Sequence, residues 1–256
     1  MSSCPDRPAA EPTALPPASV SRRVCLAFAL IVVALQHSHE WLEGYRPSFD
    51  ESRQIRAGVR FDRGLGFTSA AVDDLRDLAQ EHHPYLAYWP PMPMWLFAGL
   101  LALGLTPSAG LVVLLILFSA AGVTGAYAWL RLASRFLPAW ATVPFALGLA
   151  GAYFGPARVL APQQTYVWAL VPLWLHLVLL GAARGDGRAF LGAGLIAAFA
   201  VGWRYVSLIL APGAGLVAMF ATTAPFAVRL RWSLLAGLPA SVAYGLFTLL
   251  RIANDG

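Results

Sequence analysis

The stretch Ser48-Phe-Asp-Glu-Ser-Arg-Gln-Ile-Arg-Ala-Gly-Val-Arg-Phe-Asp-Arg63 decides how this chain is read, because it opens the one long polar interval between apolar segments, Ser48 to Trp95. Ser48 with Glu51 three residues on is a capping-box signature, so a helix is expected to begin sharply there and to end at Gly64 and Gly66. Arg53, Arg56, Arg60 and Arg63 recur at i, i+3, i+7 and i+10 and share one face, while Ile55 and Val59 sit together on another. A helix of this kind can lie on a membrane and offer guanidinium groups to phosphate. Nine of the 13 acids fall between Glu40 and Glu81 and none between His82 and Gly185, so a carboxylate required for function comes from this interval.

Outward from that interval the chain is apolar. At 256 residues, 58% hydrophobic and 12% charged, with mean hydropathy +0.63, it falls outside the range of soluble domains and reads as an integral membrane protein. Arginine alone carries the net charge of +5, with no lysine present. The arginines cluster in short links between apolar runs, which is a topology signal rather than a basic soluble face, so no nucleic-acid partner is expected. Cys4 and Cys25 have neither the setting for a disulfide nor a metal-type spacing.

Residues 1–21, rich in Pro, Ala and Ser, read as a disordered cytoplasmic tail. Residues 22–256 read as a transmembrane domain in which 37–91 form an extracytoplasmic loop with amphipathic helices. Arg22 and Arg23 precede the run Val24 to Leu35, and with no small-x-small cleavage site behind it this run is expected to be an uncleaved anchor rather than a signal peptide. A second short loop helix is expected around Val72 to Ala79, and Tyr85, Tyr88, Trp89 and Trp95 form an aromatic belt where the chain re-enters the membrane. Apolar segments follow at about 92–105, 109–130, 137–155, 165–183, 189–203, 205–222 and 233–250. The links at Arg131/Arg135, Arg184/Arg188 and Arg229/Arg231 are assigned to the cytoplasm, which leaves Arg158, Arg204 and the C-terminus outside. That bookkeeping needs segment 92–105, short for a span, to be embedded without fully crossing; the other reading is two true crossings that put Arg131 outside. The expected fold class is an all-α, multi-pass transmembrane helical bundle with juxtamembrane helices in the first extracytoplasmic loop.

His37-Ser-His39-Glu40 and Glu81-His82-His83 are candidates for a divalent metal at the outer surface, with solvated loop histidines as the other reading. His176, alone in an apolar segment, reads as a packed polar residue. Arg204, flanked by Trp203 and Tyr205 between two short apolar segments, either serves function at membrane depth or snorkels to the outer interface, and Arg158 has the same two readings. No phosphate-binding glycine loop, nucleophile elbow or metalloprotease motif is present.

In the order of its features the chain resembles the amino-terminal half of the membrane-embedded C-type glycosyltransferases, the GT-C group. It is most similar to bacterial relatives of protein O-mannosyltransferases and of the transferases that add aminoarabinose to lipid A. The resemblance is carried by Phe49-Asp50-Glu51-Ser52-Arg53 after the first membrane helix and Tyr88-Trp89-Pro90-Pro91-Met92-Pro93 before the next. Val159-Leu160-Ala161-Pro162 and Trp203-Arg204-Tyr205 complete it. The chain departs from the group's pattern at Gln54, where a Tyr is common, at Ala161, where an acid is usual, and at Gly256, where members continue through further helices.

The resemblance implies a transferase that uses a polyprenyl-phosphate-linked sugar donor on the extracytoplasmic side of a bacterial cytoplasmic (inner) membrane. By the same match Asp50 would be catalytic, and Glu51, Arg53, Arg158, Arg204 and Tyr205 would bind substrate. Such a transfer needs a base near the acceptor hydroxyl and cations near the departing phosphate; Asp50 suits the first task and the arginines the second. Asp50 also reads as a first-turn acid favoured by the helix dipole and paired with Arg53, and Glu51 as the reciprocal half of the capping box. A divalent metal ion is a candidate cofactor. Membrane lipid and a partner subunit supplying the missing half are candidate partners. A catalytically inert lipid-phosphate binder is the alternative function, whereas a transporter would need midplane polar residues that the apolar segments lack.

Overall fold

The computed structural model describes residues 15–43, 49–68, 71–72, 81–82, 90–154 and 162–255. They form helices α1 (Arg22–Glu43), α2 (Phe49–Asp62), α3 (Met92–Ala102), α4 (Pro107–Phe136), α5 (Ala139–Phe154) and α6 (Pro162–Arg184). Helices α7 (Gly187–Trp203), α8 (Leu210–Phe220) and α9 (Phe226–Asp255) follow, with a 3-10 turn, Tyr205–Ile209, between α7 and α8. The fold is all-helical apart from a pair of two-residue antiparallel strands, β1 (Ala71–Val72) and β2 (Glu81–His82), in which Ala71 faces His82 and Val72 faces Glu81. This corrects the start of the helix expected around Val72 to Ala79: Val72 is extended and paired, and the residues after it lie outside the described ones.

Local chemistry marks the ends of these elements. Thr106 caps α4 by accepting a hydrogen bond from the Ala109 N–H at 3.3 Å, with Pro107 in the first turn where no N–H is needed. Asp186 caps α7 by accepting from the Arg188 N–H at 2.9 Å. At the C-terminus of α2 the Leu65 N–H reaches back to the Arg60 carbonyl and the Gly64 N–H to Phe61, a Schellman closure that needs the positive φ of 75° at Gly64.

Contacts between helices show that the long elements run between two ends of one bundle. Val33 of α1 lies against Gly122 of α4, and at the other end of α1 the Arg131 guanidinium donates to the Val20 carbonyl at 2.6 Å, so α1 and α4 are antiparallel. Gly122 meets Thr165 and Gly125 meets Ala169, so α4 and α6 run the same way. Helices α6 and α7 form an antiparallel hairpin through Gly181 and Phe190. Gly187 on Trp232 and Gly194 on Pro239 align α7 with α9, and Gly215 on Ser233 sets α8 antiparallel to α9. One end therefore gathers the arginine pairs 22/23, 131/135, 184/188 and 229/231, with Asp186 as the acid among the described residues there. The other end gathers α2, α3, Arg204 and the end of α9.

Helix α3 stays at that second end. It has 11 residues, about 17 Å at 1.5 Å per residue, and Met92, Trp95 and Phe97 all touch residues of the same end, namely Gly202, Phe247 and Gly110. Among the described residues three helices are long and apolar enough to cross a membrane, Pro107–Phe136, Thr165–Arg184 and Phe226–Leu250, and α3, α5, α7 and the Tyr205–Phe220 segment are shorter apolar helices. Along the outside of the bundle Ile31, Leu147, Leu195, Leu216 and Leu246 are exposed. That is the surface a lipid environment, not water, would cover.

The helices pack closely through small residues. A Cβ on Gly194 would lie 2.5 Å from the Leu235 carbonyl oxygen and 2.8 Å from that of Ala236. Gly194→Leu is expected to destabilise the bundle by about 1–3 kcal/mol through overpacking, read as a lower Tm in detergent. A Tm equal to that of the wild type would contradict the α7–α9 approach.

Candidate functional site

Helix α2 is the platform of the candidate site, and glycine lets it sit tightly on α3. A Cβ on Gly58 would come within 3.1 Å of both the Met94 carbonyl oxygen and the Ala98 nitrogen. Ala57 is buried with Met94 against Phe67 and Trp95, and Ile55 and Val59 join Phe97, Leu101, Phe118 and Tyr166 in one apolar cluster. The loop after α2 is tied back by the Arg60 Nε–H, which donates to Thr68 Oγ1 at 2.9 Å, and by Phe61 and Phe67 stacked at 4.1 Å. The polarity expected of α2 is present: Arg53, Arg56 and Arg63 are exposed, Arg60 is half-buried, and Gln54, Ala57 and Gly58 are buried.

Asp50 and Glu51 occupy the first turn of α2; their side chains lie outside the described residues, as does the Ser48 cap. Positions 50 and 54 fall on the same helix face one turn apart. Gln54 is wholly buried, at 0% exposure, and neither its amide oxygen nor its amide nitrogen has a hydrogen-bond partner among the described residues. A buried unpaired polar group costs about 1–3 kcal/mol, and the same end of the bundle holds several more. Gln36 Oε1 on α1, Ser119 Oγ on α4, Trp203 Nε1 on α7 and Ser207 Oγ in the 3-10 turn are buried without a partner among the described residues. Gln36 and Ser119 each lie about one turn beyond the Val33–Gly122 contact, towards this end.

The floor of the region is aromatic. Tyr166 stacks on Trp203 with ring centroids 3.9 Å apart and planes inclined by 20°, and Phe118 packs on the Tyr166 ring at 5.0 Å. Arg204 follows directly: its N–H closes α7 on the Ala200 carbonyl at 2.9 Å and its own carbonyl accepts from the Ser207 N–H. The backbone there is extended, with φ −151°, which turns the chain from α7 into the 3-10 turn. The Arg204 side chain is half-buried, and its guanidinium has no hydrogen-bond or ion-pair partner among the described residues. Tyr205 packs edge-on against Tyr244 at 5.7 Å.

Of the residues singled out from sequence, Arg53, Arg204 and Tyr205, with the backbone of Asp50 and Glu51, are thus placed at one end of the bundle. Arg158 lies outside the described residues. For a metal, His37 is buried near the end of α1, His39 and His82 are placed by backbone alone, and His83 lies outside. No group of three or more His, Cys, Asp or Glu that could hold a metal ion is present among the described residues.

Sequence reasoning noted Gln54 only as a departure from the group's pattern, and it passed over Gln36 and the Tyr166–Trp203 stack. Gln54 had a detectable signal, since a long polar amide stands among the small residues Ala57 and Gly58 on the face opposite the arginines. The stack joins residues of two helices and had none. The chain matches no protein family, no curated protein and no solved structure.

Proposed function

We propose that this chain is a multi-pass GT-C-type glycosyltransferase, whole or in part, that uses a polyprenyl-phosphate-linked sugar on the extracytoplasmic side of the cytoplasmic membrane. The observation that carries the reading is the meeting, at the end away from the paired arginines, of an acidic helix start with a half-buried arginine and several buried polar groups that have no partner among the described residues. Paired arginines hold a helix end on the cytoplasmic side, which puts the candidate site outside, where polyprenyl-linked donors are used by the enzymes the sequence resembles.

In this mechanism the Asp50 carboxylate takes the proton of the acceptor hydroxyl. The acceptor oxygen attacks the anomeric carbon, and the bond from that carbon to the phosphate oxygen breaks. Negative charge then grows on the departing lipid phosphate, where Arg53 and Arg204, with Arg158, stabilise it. Glu51 and Tyr205 complete the substrate contacts. The described residues offer no three-ligand metal set, and no step here runs through a metal.

Two measurements test this. Asp50→Asn is expected to lower sugar transfer from undecaprenyl-phosphate donors by about 10²- to 10⁴-fold with membrane insertion retained; an unchanged rate would remove Asp50 from the mechanism. Carrier binding with no turnover even in the wild type would instead favour a non-catalytic lipid-phosphate binder or partner subunit. For sidedness, single cysteines at Leu103 and Phe136, both exposed and at opposite ends, would be placed in a chain lacking Cys4 and Cys25. A membrane-impermeant maleimide applied to intact cells should label position 103 and spare 136, and the reverse pattern would invert the topology.

A further inference from the structure

Gln54 is a long amide at 0% exposure whose two polar atoms have no partner among the described residues, and it stands one turn from Gly58, where α2 lies tightly on α3. Its neighbours on that face, Ala57 and Gly58, serve packing alone, and a methionine or leucine at 54 would serve it equally well without the desolvation cost. Retaining an uncompensated amide beside an otherwise apolar cluster is the pattern of a group whose partner arrives with a ligand. The amide presents one acceptor and a two-hydrogen donor side by side, which complements two neighbouring hydroxyl groups. A phosphate, which offers acceptors to bind, would leave the amide oxygen unpaired. The cations suited to phosphate lie elsewhere: Arg53 and Arg56 are on the exposed face of α2, and Arg204 lies beyond Trp203.

Resting on the reading above, we infer that Gln54 recognises the sugar of the donor, binding adjacent hydroxyls of a neutral pyranose or furanose ring, while the arginines hold the lipid phosphate. The same end of the bundle holds groups that suit such a guest. Trp203 Nε1 and Ser119 Oγ are further unpaired buried atoms of this end, and the aromatic floor of Tyr166 and Trp203 is a surface on which the apolar face of a sugar ring can pack. Gln54 therefore sets which sugar is accepted and takes no part in proton transfer.

The test compares undecaprenyl phosphate with undecaprenyl-phosphate-mannose and undecaprenyl-phosphate-glucose, measured by native mass spectrometry on the full-length wild type and on Gln54→Met. Met keeps the length of the side chain and removes both polar atoms. The expected result is a split: affinity for at least one sugar-bearing lipid falls about tenfold or more, as for two lost hydrogen bonds, while affinity for undecaprenyl phosphate is unchanged and Tm rises by a few degrees. Equal losses on both classes of lipid, or no loss on either, would overturn the assignment. If Gln54→Met does not fold, Gln54→Asn, which keeps the amide but draws it back by one methylene, must give the same split or the inference fails. A wild type that binds no sugar-bearing lipid overturns the glycosyltransferase reading itself; a wild type that binds one, with variants that bind it equally, overturns only the role of Gln54.

Discussion

An unpaired charge or polar group inside an apolar layer is the most expensive thing this chain could contain, and the architecture follows from where such groups are allowed. The long apolar helices carry arginine at or near their ends and none in their middles. The pairs 22/23, 131/135, 184/188 and 229/231 collect at one end because α4 and α6 run towards it while α1, α7 and α9 start from it. Two of these side chains are tied to backbone there, Arg131 to the Val20 carbonyl and Arg229 to that of Met219. Both contacts fasten the chain at that end.

The opposite end is built differently. There α2 and α3 lie across the ends of the longer helices, joined through Gly58 and an apolar cluster that reaches Tyr166. The stacked pair Tyr166–Trp203 then connects that cluster to Arg204. A substitution in α2 that shifts its seat on α3 would be felt at the aromatic floor through contiguous packing. Buried polar atoms without a partner among the described residues, on Gln54, Gln36, Ser119 and Trp203, carry a cost in stability at this end.

Much of this was legible in the sequence because long apolar runs bounded by arginine, glycine and proline leave little choice of element. The runs expected at about 109–130, 137–155, 165–183 and 189–203 appear as α4 to α7, and the short 92–105 run as the 11-residue α3. The faces of α2 were legible for the same reason, since four arginines at helical spacing fix the outward side. The pairing of Ala71–Val72 with Glu81–His82 was hidden, because two-residue strands carry no periodicity and β pairing depends on a contact distant in sequence. The burial of Gln54 was legible only through its neighbours Ala57 and Gly58 on the face turned from the arginines, and not from its own character. Arg158, His83, the Ser48 cap and most of the aromatic belt fall outside the described residues.

The central claim is that the end bearing α2 and Arg204 holds a polyprenyl-phosphate carrier. It is tested most directly by native mass spectrometry of undecaprenyl phosphate bound to the purified protein and to Arg204→Ala in detergent. Saturable binding to the wild type, weakened about tenfold or more in the variant as for loss of a charge-assisted phosphate contact, is the predicted result. Equal binding to both proteins, or binding to neither, would contradict it.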